Sequence, residues 1–210
     1  MEQAKLRKLK TQLRFPTFFE RTEWKEKKLG EIFRERIDKG YPEKTVLSAT
    51  QDKGVIPYQL LEKSVIRDNQ NLAGYKLVKS GDFVISLRSF EGGFEYSKYD
   101  GIISPAYVIL ERKQEINDVF FQFLFKSDYF ITAIQSFLNN NLRDGKSISY
   151  KQAKDIDLLI PEIDEQQVVA DCLASIDELI TAENCKLEAL KSHKKGLIQS
   201  LLPSRDKASA

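Results

Sequence analysis

Near the C-terminus, apolar residues recur at alternating spacings of three and four: Leu173, Ile176, Ile180, Glu183, Leu187, Leu190, Lys194, Leu197 and Leu201. Seven of these nine positions are apolar. A spacing of about 3.5 residues draws a narrow stripe along a helix, too narrow to bury in an ordinary core and suited to a second helix. The stripe predicts a long helix that needs a helical partner.

Its limits can be read locally. Asp164, with Gln167 three residues on and Pro161 just before, has the spacing of a capping box with Asp164 as the N-cap. Pro203 stops the helix after Leu202. The helix then covers 164–202, about 38 residues or roughly 57 Å. Gly196 is its weak position, and the small polar tail 203–210 is expected to fray.

The formal net charge of +2 hides a pattern along the chain. Residues 1–30 hold nine Lys/Arg against four Asp/Glu, and 31–160 hold eighteen of each. Residues 161–190 hold one Lys against eight acids, and 191–210 hold five bases against one acid. The long helix is thus acidic in its first half and basic in its second, matching the macrodipole and favouring an antiparallel copy. Such a pair can slide by heptads. Only one register sets the two polar core residues opposite each other: Glu183 facing Lys194 of the second copy, Leu187 facing Leu190, Ile180 facing Leu197 and Ile176 facing Leu201. A slip of one heptad buries both charges against leucine or isoleucine. The predicted two-fold axis lies between Glu188 and Ala189.

Upstream, 1–14 is a basic segment and 15–160 reads as a mixed α/β domain. Strands are expected at Thr45–Ala49, Tyr75–Val78, Phe83–Leu87 and Ala106–Leu110, with turns at Asp52–Gly54, Ser80–Asp82, Gly92-Gly93 and Asp100-Gly101. The Phe-rich stretch Val119–Leu138 suggests two short helices, with Ser127 capping the second. Its aromatics recur at helical spacing beside Leu124, Ile131 and Ile134, which assigns them to the core. No segment is repeated.

No apolar run approaches the length of a membrane span, and the start Met1–Lys5 lacks the apolar core of a signal peptide, so a cytoplasmic location is expected. Cys172 and Cys185 lie on one predicted helix, about 20 Å apart along its axis, and are read as thiols. With one histidine, His193, set among lysines, neither a metal site nor histidine-based catalysis is expected, and no cofactor is implied.

Three stretches together carry a resemblance. LRFPTFFERTEWKEKKLGEIF, residues 13–33, KSGDFVISLRSFEGGFEYSKYDGIISPAYVIL, residues 79–110, and SISYKQAKDIDLLIPEIDEQQ, residues 147–167, resemble the DNA-specificity subunits of type I restriction-modification systems. The resemblance implies that 15–160 is a target-recognition domain and that the long helix is a conserved spacer. It also implies three kinds of partner: double-stranded DNA, methyltransferase subunits and restriction subunits. Catalysis would then belong to those subunits. Junctions in this family often carry a double proline before the Glu-Gln pair, whereas here Pro161 stands alone. The usual subunit has two recognition domains and two long helices, and this chain has one of each. It therefore looks like a half-subunit that pairs with a second copy, or a fragment of a longer one. Two identical domains related by a two-fold axis would read an inverted repeat around an unread spacer.

Reading bases in the major groove takes Arg or Lys for guanine and Asn or Gln for adenine, carried on loops. The candidates are Arg88 and Ser89 before Gly92-Gly93; the loop Asn139, Asn140 and Asn141 with Arg143 and Lys146; and Arg36, Lys39 and Tyr41. For any one of them, a solvated loop charge is the plain alternative. Balanced charge over 31–160 predicts weak DNA binding by the isolated domain. The rival reading is a nuclease, with Asp100, Glu111 and Lys113 in the acid, acid-x-lysine order that holds Mg²⁺. A plain coiled-coil assembly module would explain the helix and leave the domain without a purpose. The GxxxxGK[ST] loop for ATP is missing, as is the Asn/Asp-Pro-Pro-aromatic motif of amino-methyltransferases.

Overall fold

The computed structural model describes residues 14–21, 23–61, 72–85, 94–141 and 149–202. They divide into two compact units, one up to Gln167 and one from Val168.

The first unit runs β1 (Lys25–Lys28), α1 (Leu29–Ile32), β2 (Phe33–Glu35), β3 (Leu47–Thr50), β4 (Gly54–Pro57), β5 (Lys76–Val78), β6 (Phe83–Ile85), β7 (Phe94–Tyr96), β8 (Gly101–Ile103), β9 (Val108–Arg112), α2 (Asp118–Lys126), α3 (Asp128–Asn141), α4 (Tyr150–Ala153) and β10 (Asp157–Ile160). The central sheet has the order β2-β9-β6-β7, antiparallel throughout. Around it stand the pairs β3–β4, β5–β8 and β1–β10. The expectation of a mixed α/β domain agrees with this architecture.

Strand alternation gives the sheet two buried faces. On one, Phe33 and Phe83 meet Phe121 and Phe125 of α2, with ring centroids 5.0 to 5.8 Å apart. Phe94 and Phe130 close the cluster, 4.9 Å from each other. All six rings are fully buried, so the Phe-rich stretch is core, as its periodicity implies. On the other face, Val84 and Ile109 pack with Leu47, Val55, Val78 and Ile103.

The two helices in the Phe-rich stretch form as expected. Asn117 caps α2 by accepting from the Phe120 amide at 2.8 Å, and the Ser127 hydroxyl accepts from the Phe130 amide at 3.3 Å. Three local expectations need correction. Asn139–Asn141 are not loop: the backbone of α3 stays helical through Asn141. Gly101 is not a turn residue but the first residue of β8, packed so close that a Cβ would lie 2.4 Å from the Thr45 carbonyl oxygen. Strand β9 begins two residues later than expected and runs through Glu111 and Arg112. By contrast, the Ser80–Asp82 turn is present, with Gly81 at φ 95.

The long helix α5 spans Ile163–Leu201, 39 residues. Asp164 is not its N-cap, because the helix starts one residue earlier. The Asp164 carboxylate accepts from the neighbouring Glu165 amide at 2.9 Å, and the Gln167 side chain accepts from Asn117 Nδ2 at 2.7 Å. In the second unit, the stripe is open to solvent, from Leu173 at 37% exposed to Leu201 at 75%. Among the described residues, no helix is long and apolar enough to cross a membrane.

Candidate nucleic-acid interface

The first turn of α5 is tied into its own domain. Glu165, almost fully buried, accepts two hydrogen bonds from Arg14, at 2.8 and 2.7 Å, and one from Trp24 Nε1 at 3.0 Å. Burial alone would raise its carboxyl, but the bonds from Arg14 and Trp24 outweigh burial and hold it below the ordinary range. Gln166 bridges the Pro161 carbonyl and the Asn117 amide, each at 3.0 Å. More exposed pairs surround this knot: Arg21 with Asp164, and Lys25 with Glu162. The Trp24 and Glu165-Gln166 motifs thus work together at the root of the helix.

The proposed base readers fare unequally. Arg36 is a structural residue and is withdrawn from that role. Only 8% exposed, it holds Asp82 through Nε at 2.8 Å and Nη2 at 3.1 Å, and Nη2 lies 2.6 Å from Glu111. Its donors are spent inside the fold. Burial raises the Asp82 carboxyl despite that guanidinium. Lys39 and Tyr41 are exposed on the connection from β2 to β3. That connection is pinned by a Lys39–Lys76 bridge and a 3.2 Å bond from the Gly40 amide to Ala73. Arg88, Ser89, Arg143 and Lys146 lie outside the described residues. Asn139, Asn140 and Asn141 end α3.

The acid, acid-x-lysine triplet does not assemble. Asp100 accepts from the Ser80 amide at 2.8 Å, Glu111 is engaged by Arg34 and Arg36, and Lys113 donates to the Gly30 carbonyl. Among the described residues, no group of three His, Cys, Asp or Glu side chains could hold a metal ion. The nuclease reading finds no support.

Two residues escaped sequence reasoning. Glu95 of β7 is buried, and Lys126, at the end of α2, reaches it at 3.5 Å. The available signal was a lone charge between two aromatics, Phe94 and Tyr96, in a strand-like run. Both cysteines are free and exposed.

Residues 21–192 match the family model of the type I restriction modification DNA specificity domain. The chain belongs to this family. A curated relative, the type I restriction enzyme MjaVIII specificity subunit of Methanocaldococcus jannaschii, is 28% identical over 128 residues, covering 60% of this chain and 29% of that protein. Among solved structures, a chain from work on complex assembly and conformational transition of the type I R-M system aligns with TM-score 0.58 at 16% identity. It covers 90% of this chain and 51% of that one. The S subunit of a type I system from M. genitalium aligns with TM-score 0.50 at 17% identity, covering 91% and 48%. At such identities the likeness is one of fold. The chain spans about half the length of these solved chains, and less of the curated relative.

Proposed function

We propose that the chain is a DNA-reading half-subunit: two copies pair through α5 as an antiparallel coiled coil and together read a bipartite, inverted-repeat site. The observation that carries this reading is the exposed stripe of α5. Leu173, Ile176, Ile180, Leu187, Leu190, Leu197 and Leu201 are between 37 and 75% exposed, which a second helix would remove from water. Charge chooses the geometry. Glu183 and Lys194 interrupt the stripe at positions that face each other in one antiparallel register. At 39 residues, α5 is about 58 Å long. With the recognition domain joined to the N-terminal end of each helix, antiparallel pairing separates the two domains. Duplex DNA rises about 3.4 Å per base pair, so the half-sites would lie a helical turn or more apart.

In this reading the protein selects the sequence and does no chemistry. Methyltransferase and restriction subunits dock on it in the cytoplasm and supply catalysis. Base contacts come from Lys39, Tyr41, Arg88, Ser89, Asn139, Asn140, Asn141, Arg143 and Lys146.

The test has two arms. Sedimentation equilibrium on Glu183→Lys and on Lys194→Glu should find each weaker as a dimer, with the double variant restored. A parallel pair would leave the single variants like the wild type, because each position would then face its own copy. Selection from randomised duplexes should recover an inverted repeat. A dimer with no sequence preference would leave only an assembly module.

A further inference from the structure

The segment that follows β2 is held on both sides of one exposed residue. Arg36 is clasped by Asp82 and Glu111, and its amide donates to the Ile109 carbonyl at 2.9 Å. The Asp38 carbonyl accepts from the Leu77 amide at 2.7 Å, and Gly40, at φ 91, donates to the Ala73 carbonyl. Lys76, 12% exposed along its side chain, ties Glu35 to the Tyr107 carbonyl, at 3.2 and 2.9 Å. Between these anchors Ile37 is 66% exposed. Its backbone is fixed while its side chain meets water.

An isolated exposed isoleucine is ordinary. This one has company. Lys39 and Tyr41 are exposed on the same connection, and among the described residues neither the Lys39 ammonium nor the Tyr41 hydroxyl has a protein partner. The β2–β9 register, carried on by the Arg36 bond, sets Ile37 opposite Val108, just after the exposed Pro105 and Ala106. The other end of β9 is already occupied: it leads to Asn117, whose amide donates to Gln166 in the first turn of α5, and Arg14, Arg21 and Lys25 are paired there with Glu165, Asp164 and Glu162. Open donors beside an open apolar side chain, on a backbone held rigid, match one kind of base edge. Thymine presents a 5-methyl group in the major groove next to a hydrogen-bond acceptor.

We propose that Ile37 reads a thymine, packing its side chain against the 5-methyl group in the major groove, with Lys39 and Tyr41 making the polar contacts beside it. The inference rests on the DNA-reading function proposed above and adds to it a residue and the group that it reads.

The experiment uses the full chain and the duplex recovered by selection, with each thymine of one half-site replaced in turn by deoxyuridine, which lacks only the methyl group. At one position the replacement should weaken wild-type binding about fourfold, the worth of one methyl group withdrawn from water. Ile37→Ser should bind the thymine and deoxyuridine duplexes equally, near the wild-type affinity for the latter, and Ile37→Val should stay close to wild type. Replacements that affect wild type and Ile37→Ser alike at every position, or a selected half-site with no thymine on either strand, overturn the inference and leave the DNA-reading function standing. A wild type with no preference for any duplex overturns both.

Discussion

The domain up to Gln167 and the helix from Val168 treat apolar side chains in opposite ways. In the domain, Phe33, Phe83, Phe94, Phe121, Phe125 and Phe130 are fully buried within one chain. On the helix, Leu187, Leu190 and Leu197 remain about half exposed, and in the pairing proposed above a second copy would cover them. The domain closes its core through contacts between strands distant in sequence. The helix keeps a linear pattern that any complementary copy can read. Stability of the first should therefore be independent of concentration, and that of the second should not.

The largest test of this contrast removes a ring from the closed core. Phe125 touches Phe33, Phe83, Phe94, Phe121 and Phe130, so Phe125→Ala should cost the domain about 4 kcal/mol. Denaturant titration monitored at Trp24 reads this loss. The dimer constant set by the helix should stay within a few-fold of wild type, as long as the domain remains folded. Equal losses in both would mean that the two units share one core.

Next in size is a change that should strengthen the domain. The Glu95 carboxyl titrates at about 7 in the fold against an ordinary 4.5. A folded value above the unfolded one means that this group's contribution is fully present below about 4.5 and is lost as pH rises through about 7. Glu95→Gln removes that loss. It should match the wild type at pH 4 and exceed it by on the order of 3 kcal/mol at pH 8, seen in paired melting curves. A gain at pH 4 of the same size would assign the effect to packing instead of charge.

The helix gives the complementary test. Glu183→Lys sets like charges across the seam twice in a two-fold dimer, and should weaken association by about 1 to 2 kcal/mol. Sedimentation measures that weakening, and the domain's melting temperature should not move.

The same contrast explains what the sequence made legible. The stripe of α5 is a local pattern, so its existence and length could be read within a residue or two. The Phe-rich helices and the Ser127 cap are local as well. The central sheet was half hidden, because β2 and β7 are three residues each, too short to display a period of two. Arg36 was misassigned because the groups that claim it, Asp82 and Glu111, lie far away in sequence. An arginine beside a loop reads as a free donor until the fold brings acids to it. Asp164 failed for another reason: its capping signal was real, but the helix starts one residue earlier, at Ile163. The family resemblance, carried by three separated motifs, reached further than periodicity could. It left open which loop residues touch DNA.

Asn117 is also where the smallest effect should appear. Its side chain caps α2 at the Phe120 amide and donates to Gln167, while its own amide donates to Gln166. Asn117→Ala removes the first two bonds and leaves the third. Loss of a cap costs about 1 kcal/mol, and the exposed bond to Gln167 adds little. Asn117→Asp should recover most of this loss, since its carboxylate can still accept from the Phe120 amide and lies favourably at a helix N-terminus. The pair of variants separates the two jobs. If the aspartate restores domain stability fully, capping of α2 is what Asn117 contributes. If it restores little, the tie to the first turn of α5 matters more.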